Sequence, residues 1–382
     1  MRFKAMAVVV ALGLCVAGIA HAQTTSKVDG VIFGDYYYNL SNHSPAEQDR
    51  NAFTFRRIYF TFENNITEAI KVRFRLESES EKYGESKEIN PFVKHAFLQW
   101  SGLLPRQDFY VGMIETNAFK NSEELWGYRS IEKTIMDLNK ISSSADMGMA
   151  IKGDLLGSTV HHWLAVFNGT GYGSSEIDRF KKVGYALWLT PLRGLVIEGY
   201  ADFENLAKRE PQTVAELSSA KDYRLASSYH TLKAFVGYDH RRFSLGAEVF
   251  HRTNKESGIS DVIIEANAVK TFAPADVQRF GYSVFASVIT PVPKLKAFAR
   301  YDFFDPNTKA DVFTSFKNGV LIGGEKNEEK TIFAGLDYIP VAGIHVMPNV
   351  IVKKYAAPKV DSDVTARLTV SYNYSSGKIV VE

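Results

Sequence analysis

The sequence predicts an all-β chain: a transmembrane antiparallel β-barrel of about sixteen strands. Three observations predict it. Period-two alternation of apolar and polar residues runs from Lys27 nearly to the end. The alternating segments are about 9–14 residues long, enough to cross a bilayer at a tilt, whereas strands of soluble proteins run about 5–6. The connections between them alternate short and long, as in barrels with tight turns at one rim and loops at the other.

Taken in order, strands are expected over 27–39, 52–65, 69–80, 92–102, 108–115, 145–156, 159–169, 179–190, 193–204, 228–240, 242–252, 279–290, 294–304, 329–339, 343–355 and 363–375. The clearest lies between Ala69 and Glu79. Ile70, Val72, Phe74 and Leu76 point one way, and Lys71, Arg73, Arg75 and Glu77 the other. One such strand fits a soluble sheet as well as a barrel wall. The connections decide between them. Short turns follow the even strands: Asn65 to Glu68, Leu103 to Gln107, Gly157-Ser158, Pro191-Leu192, Arg241, Pro291 to Pro293 and Val341-Ala342. Long loops over 40–51, 81–91, 116–144, 205–227, 253–278 and 305–328 follow odd strands. A β-sandwich has no reason to keep that alternation.

Residues 1–22 read as a signal peptide. Arg2 and Lys4 precede an apolar stretch from Ala7 to Ile19, and Ala20-His21-Ala22 offers small residues before a cut at Gln23. One domain, 23–382, follows. The chain has 45 Lys and Arg against 43 Asp and Glu, so losing Arg2 and Lys4 leaves the two signs equal. A nucleic-acid partner is not indicated, since such partners want a basic surface. The single cysteine, Cys15, lies in the signal, which excludes a disulfide framework and thiolate metal sites in the mature chain. Outside the signal no apolar run approaches the roughly 20 residues of a spanning helix. Aromatics gather near strand ends, among them Tyr36, Tyr38, Trp100, Phe109, Tyr110, Tyr301, Phe303, Tyr338, Tyr355, Tyr372 and Tyr374, where interfacial girdles would sit.

An enzyme is not expected. His161-His162 are adjacent on a strand, point to opposite faces and cannot share a metal. No Gly-x-Ser-x-Gly elbow occurs. The glycine-rich run from Asn168 to Gly173 lacks the lysine and helix of a phosphate cradle. No cofactor or metal is expected.

The segment from Phe53 to Glu63 contains the pair Arg56-Arg57 and is rich in aromatics. It is followed by the basic–apolar alternation from Lys71 to Glu77, and later by Val111-Gly112-Met113 before the long loop 116–144. In these features the chain resembles the phosphate-selective porins O and P. The motifs are confined to about 53–115, and the resemblance of pattern covers most of the chain. It implies a sixteen-stranded outer-membrane barrel, often a homotrimer, in contact with outer-membrane lipid, with the third loop folded into the pore. It implies passive diffusion of small solutes or ions through a water-filled channel. A secreted or surface-exposed β-rich binding protein that is not a pore is the alternative. The chain departs from that family in its mixed-charge third loop and in a tail that runs on past Tyr374 to Glu382.

The expected pore-lining residues are Arg57, Lys71, Arg73, Arg75 and Glu77. Charges belong on the wet face because Arg or Lys on the lipid face costs about 2–4 kcal/mol at the bilayer midplane. A helix is expected over Asn121–Tyr128, capped by Ser122. The third loop supplies Glu123, Glu124, Arg129, Glu132 and Lys133 to an expected constriction, its acids facing the basic strand so that a transverse field filters charge.

Overall fold

The computed structural model describes residues 24–79, 90–176, 178–208, 211–213, 215–216, 225–265, 268–309, 311–317, 320–322, 327–357 and 360–381. The signal peptide read at 1–22, and most of the loop expected at 81–91, lie outside the described residues. The strands are β1 (Thr24–Ser41), β2 (Asn51–Asn65), β3 (Ile70–Glu79), β4 (Phe92–Leu104), β5 (Gln107–Glu115), β6 (Ala145–Leu156), β7 (Val160–Phe167), β8 (Lys182–Leu189), β9 (Leu195–Asn205), β10 (Ser228–His240), β11 (Phe243–Glu265), β12 (Ala268–Ile289), β13 (Leu295–Asp305), β14 (Ser315–Lys317), β15 (Val320–Ile322), β16 (Glu329–Tyr338), β17 (Ile344–Tyr355) and β18 (Asp363–Val381). Two short helices, α1 (Lys120–Trp126) and α2 (Ile135–Leu138), lie in the third long loop.

Among the described residues, sixteen strands close one antiparallel barrel, and β14 and β15 form a small separate hairpin. Each barrel strand pairs with its chain neighbour, and β1 pairs with both β2 and β18 to complete the ring. Closure leaves no unpaired edge, which is what a sheet in hydrocarbon requires. The tail beyond Tyr374 is part of this seam: β18 runs on to Val381, which sits opposite Thr24.

Side chains alternate as the sequence pattern demands. On β3, Phe74 points outward, while Lys71 and Arg73 point inward to Glu63 of β2. Phe74→Arg should therefore cut the folded yield far more than Arg73→Gln. The first sets a charge in an apolar belt at about 2–4 kcal/mol; the second edits a wet wall. Equal folded fractions, read from heat-modifiable gel migration, would show that the faces are assigned backwards.

Two of the register breaks bring charged side chains to the interior. A β-bulge on β2 sets both Phe33↔Arg57 and Gly34↔Phe55 in register and leaves Arg56 as the extra residue. Gly34 opposite permits it, since a Cβ there would lie 2.6 Å from the Thr54 carbonyl oxygen. A second bulge on β4 makes Lys94 the extra residue between His95 and Val93. Both bulges turn two consecutive side chains to the interior, as bulges do when they re-aim a strand.

Three expectations need correction. The segment 253–278 is not a loop: β11 and β12 continue through it as a long hairpin, against which Phe313 of the next connection pairs at Ile259. The third-loop helix begins at Lys120, and Ser122 is not its cap. Its hydroxyl donates to the Phe119 carbonyl instead, at 3.0 Å. Tyr110 and Tyr355 are not girdle residues. Tyr110 packs inside against Phe97, and the Tyr355 hydroxyl donates to Asp363 at 2.5 Å. Tyr36, Phe53, Tyr338 and Tyr372 do face outward.

Candidate functional site

The third loop, 116–144, lies inside the barrel. It leaves β5 at Glu115, runs along the β7–β13 wall, reaches the β17–β2 side and returns to β6. Two apolar clusters hold it. At its base, Ala118, Phe119, Ile135, Met136 and Ile141 pack on Trp163, Ala165, Phe167, Tyr200 and Phe250. At its tip, Trp126, Tyr128 and Ile131 pack on the inward rings of Phe235, Phe285, Phe298 and Phe333 and on Met347. Trp126 meets Phe285 at 5.4 Å and Phe298 at 6.1 Å, and its indole N–H donates to the Glu132 carbonyl at 3.0 Å. Gly127 ends α1 in the left-handed conformation (φ 68°), so the chain can turn there toward Tyr128.

Guanidinium groups of the wall then fasten the loop's main chain. Arg56 donates to the carbonyls of Ser130 (2.8 Å) and Ile131 (2.6 Å). Arg300 donates to that of Lys133 (2.5 Å), and Arg252 to that of Ile141.

One gap lies between the loop and the β2–β5 wall. A narrow pocket of about 50 Å³ is lined by Tyr59, Arg75, Lys94 and Glu115 from the wall and by Lys120, Glu123 and Arg129 from the loop. Most of these charges are paired. Arg57 binds Glu77, and Glu79 at 3.0 Å; Lys94 binds Glu77 at 3.1 Å. Lys71 and Arg73 share Glu63 at 2.8 and 3.2 Å, and Arg73 also reaches Glu115 at 3.5 Å. Lys120 spans Glu115 and Glu124 at 3.2 and 3.3 Å. Arg129 binds Glu123 at 2.6 Å and Asp137 at 2.7 Å. Glu132 pairs with Arg56 at 3.5 Å and accepts from the Lys133 N–H. Burial by itself would raise the Glu132 carboxyl, but Arg56 and Arg367 bring it below its ordinary range. Burial pushes the Glu123 carboxyl up despite Arg129.

Arg75 is the exception. Its guanidinium donates to the Thr61 hydroxyl at 2.7 Å and lies 5.3 Å from the Tyr59 ring centre; among the described residues it has no ion pair. Arg75 from the basic strand and Glu123 from the third-loop acids line this pocket. The strand's carboxylate partners, however, are Glu63 and Glu115 rather than Glu123 and Glu124.

No protein-family model and no curated protein matches the chain. Solved structures do match. The anion-selective porin of Comamonas acidovorans is 10% identical, with a TM-score of 0.62 over 92% of this chain and 100% of that one. The outer-membrane channel DcaP of Acinetobacter baumannii is 12% identical, with a TM-score of 0.59 over 93% and 99%. OmpF of Salmonella typhi, in complex with daunomycin, is 13% identical, with a TM-score of 0.58 over 93% and 99%. The fold is that of the bacterial porins.

On this porin fold, Arg56, Lys94 and Glu115 are the site residues that sequence reasoning missed. Strict alternation sends Arg56 and Lys94 outward, and only the bulges bring them in. Glu115, the last residue of β5, shares the parity of Val111, which faces outward, so alternation hid it as well.

Proposed function

We propose that the chain is an outer-membrane porin of the phosphate-selective porin O and P type in architecture, through which small solutes or ions diffuse passively. The observation that carries this is the neck. A closed barrel holds a pinned loop against a charged wall, which is how a pore narrows without sealing. The short turns then face the periplasm, the long loops face outward, and the apolar belt meets lipid or two further copies of the chain in a trimer.

The neck favours anions in this reading, because Arg75 has no carboxylate partner and the other charges largely cancel. The field of one cation is screened over about 8 Å at physiological salt, less so where bulk water is excluded. Purified protein should give discrete conductance steps in planar bilayers, with a reversal potential toward anions in a salt gradient. Replacing Lys71, Arg73 and Arg75 together by Gln should move it toward cations, most at low salt. Arg75→Gln alone should move it more than Lys71→Gln. An unchanged reversal potential in the triple variant, at intact conductance, would remove this strand from the mechanism. Absence of any conductance from folded protein would remove the pore.

A further inference from the structure

We propose that the vestibule at the short-turn end holds a binding site for small organic anions with a flat ring, aromatic carboxylates above all, with Lys152 taking the carboxylate and Trp188 the ring. This deepens the channel reading and rests on it for the route by which such a solute arrives. A cavity of about 500 Å³ opens there, lined by Asp108, Tyr110, Lys152, Asp154, His161 and Trp188. That is within the size range of small-molecule sites.

Lys152 is the unusual member. It sits directly across the β5–β6 pair from Asp108. Yet Asp108 accepts instead from the Gln99 amide at 3.0 Å. Among the described residues Lys152 makes no ion pair and no hydrogen bond; its ammonium lies 4.6 Å from the Trp163 ring centre and 5.8 Å from that of Trp188. Ring faces offset only part of what an ammonium loses on leaving water. An anionic partner would supply the rest. Behind it, the buried indole N–H of Trp163 also lacks an acceptor.

The platform is fixed in advance. His161 stacks on Trp188 with ring centres 5.3 Å apart, and is itself held by Asp154 at 2.7 Å and Thr190 at 2.9 Å. The other carboxylate of the cavity, Asp154, is occupied by His161 and by Arg106 at 2.9 Å. One free cation beside an oriented ring selects a flat anion over a cation or a bare carboxylate.

The test is benzoate titration of the full chain folded in detergent, followed by calorimetry, with acetate and benzylammonium as controls. Lys152→Gln should weaken benzoate by about tenfold, the usual worth of a charge-assisted contact. Lys152→Arg should retain most of the affinity, and Trp188→Leu should lose it while heat-modifiable migration shows the barrel intact. Benzoate binding equally to wild type and Lys152→Gln, or acetate binding as well as benzoate, would overturn the site. A protein that conducts but does not bind benzoate rejects the site and keeps the channel. One that binds benzoate but passes no current keeps the site and rejects the channel.

Discussion

Glu77→Gln is expected to lower the unfolding free energy of the barrel by about 3 kcal/mol, the scale seen when one partner of a buried ion pair is removed. Glu77 is fully buried, 0% exposed, and receives both Arg57 and Lys94. Glutamine keeps the shape but takes away the charge that lets two buried cations sit side by side. Glu79 still holds Arg57 at 3.0 Å, so the loss falls mainly on Lys94. Urea titration in lipid vesicles would measure it, with Glu124→Gln as the comparison, because the Glu124 side chain is 63% exposed and should be neutral on replacement. Equal midpoints for the two variants would mean that the cluster is solvated well enough to tolerate the change.

The second large effect is on the loop rather than the wall. Trp126 is 2% exposed and joins the loop tip to rings from β12 and β13. Trp126→Ala should cost the anchoring about 3–5 kcal/mol, the usual range for emptying a buried aromatic site. The barrel's own hydrogen bonds do not involve Trp126, so assembly should survive. The loop should then leave its seat part of the time, giving noisier single-channel current and protease cleavage between β5 and β6. Quiet current with an uncut loop would show that the arginine–carbonyl bonds suffice alone.

The strand count, the order of turns and loops and the wet face of β3 were all legible in the sequence, because period two is a direct consequence of strand geometry. Three things were not. A bulge adds one residue without altering composition, so Arg56 and Lys94 read as outward-facing. A long hairpin above the rim carries no bilayer-facing pattern, so 253–278 read as a loop. The inward rings of Phe235, Phe285, Phe298 and Phe333 fall at lumen parity, where polar residues were expected; four such exceptions along the arc of wall from β10 to β16 were the available sign that something apolar would be seated there. The acids of the loop were found, but their partners depend on distances that spacing does not encode. Glu123 thus turned to Arg129 in its own loop.

The wall grips the loop through main-chain oxygens: those of Ser130, Ile131, Lys133 and Ile141. Every residue type carries that oxygen. These arginine bonds are therefore left in place when the loop's exposed side chains are mutated. Exposed positions such as Glu124 can change sign without moving the frame that surrounds them. In such an arrangement the charge on the loop's open face can change one side chain at a time, while its seat is kept by arginines and rings elsewhere in the chain.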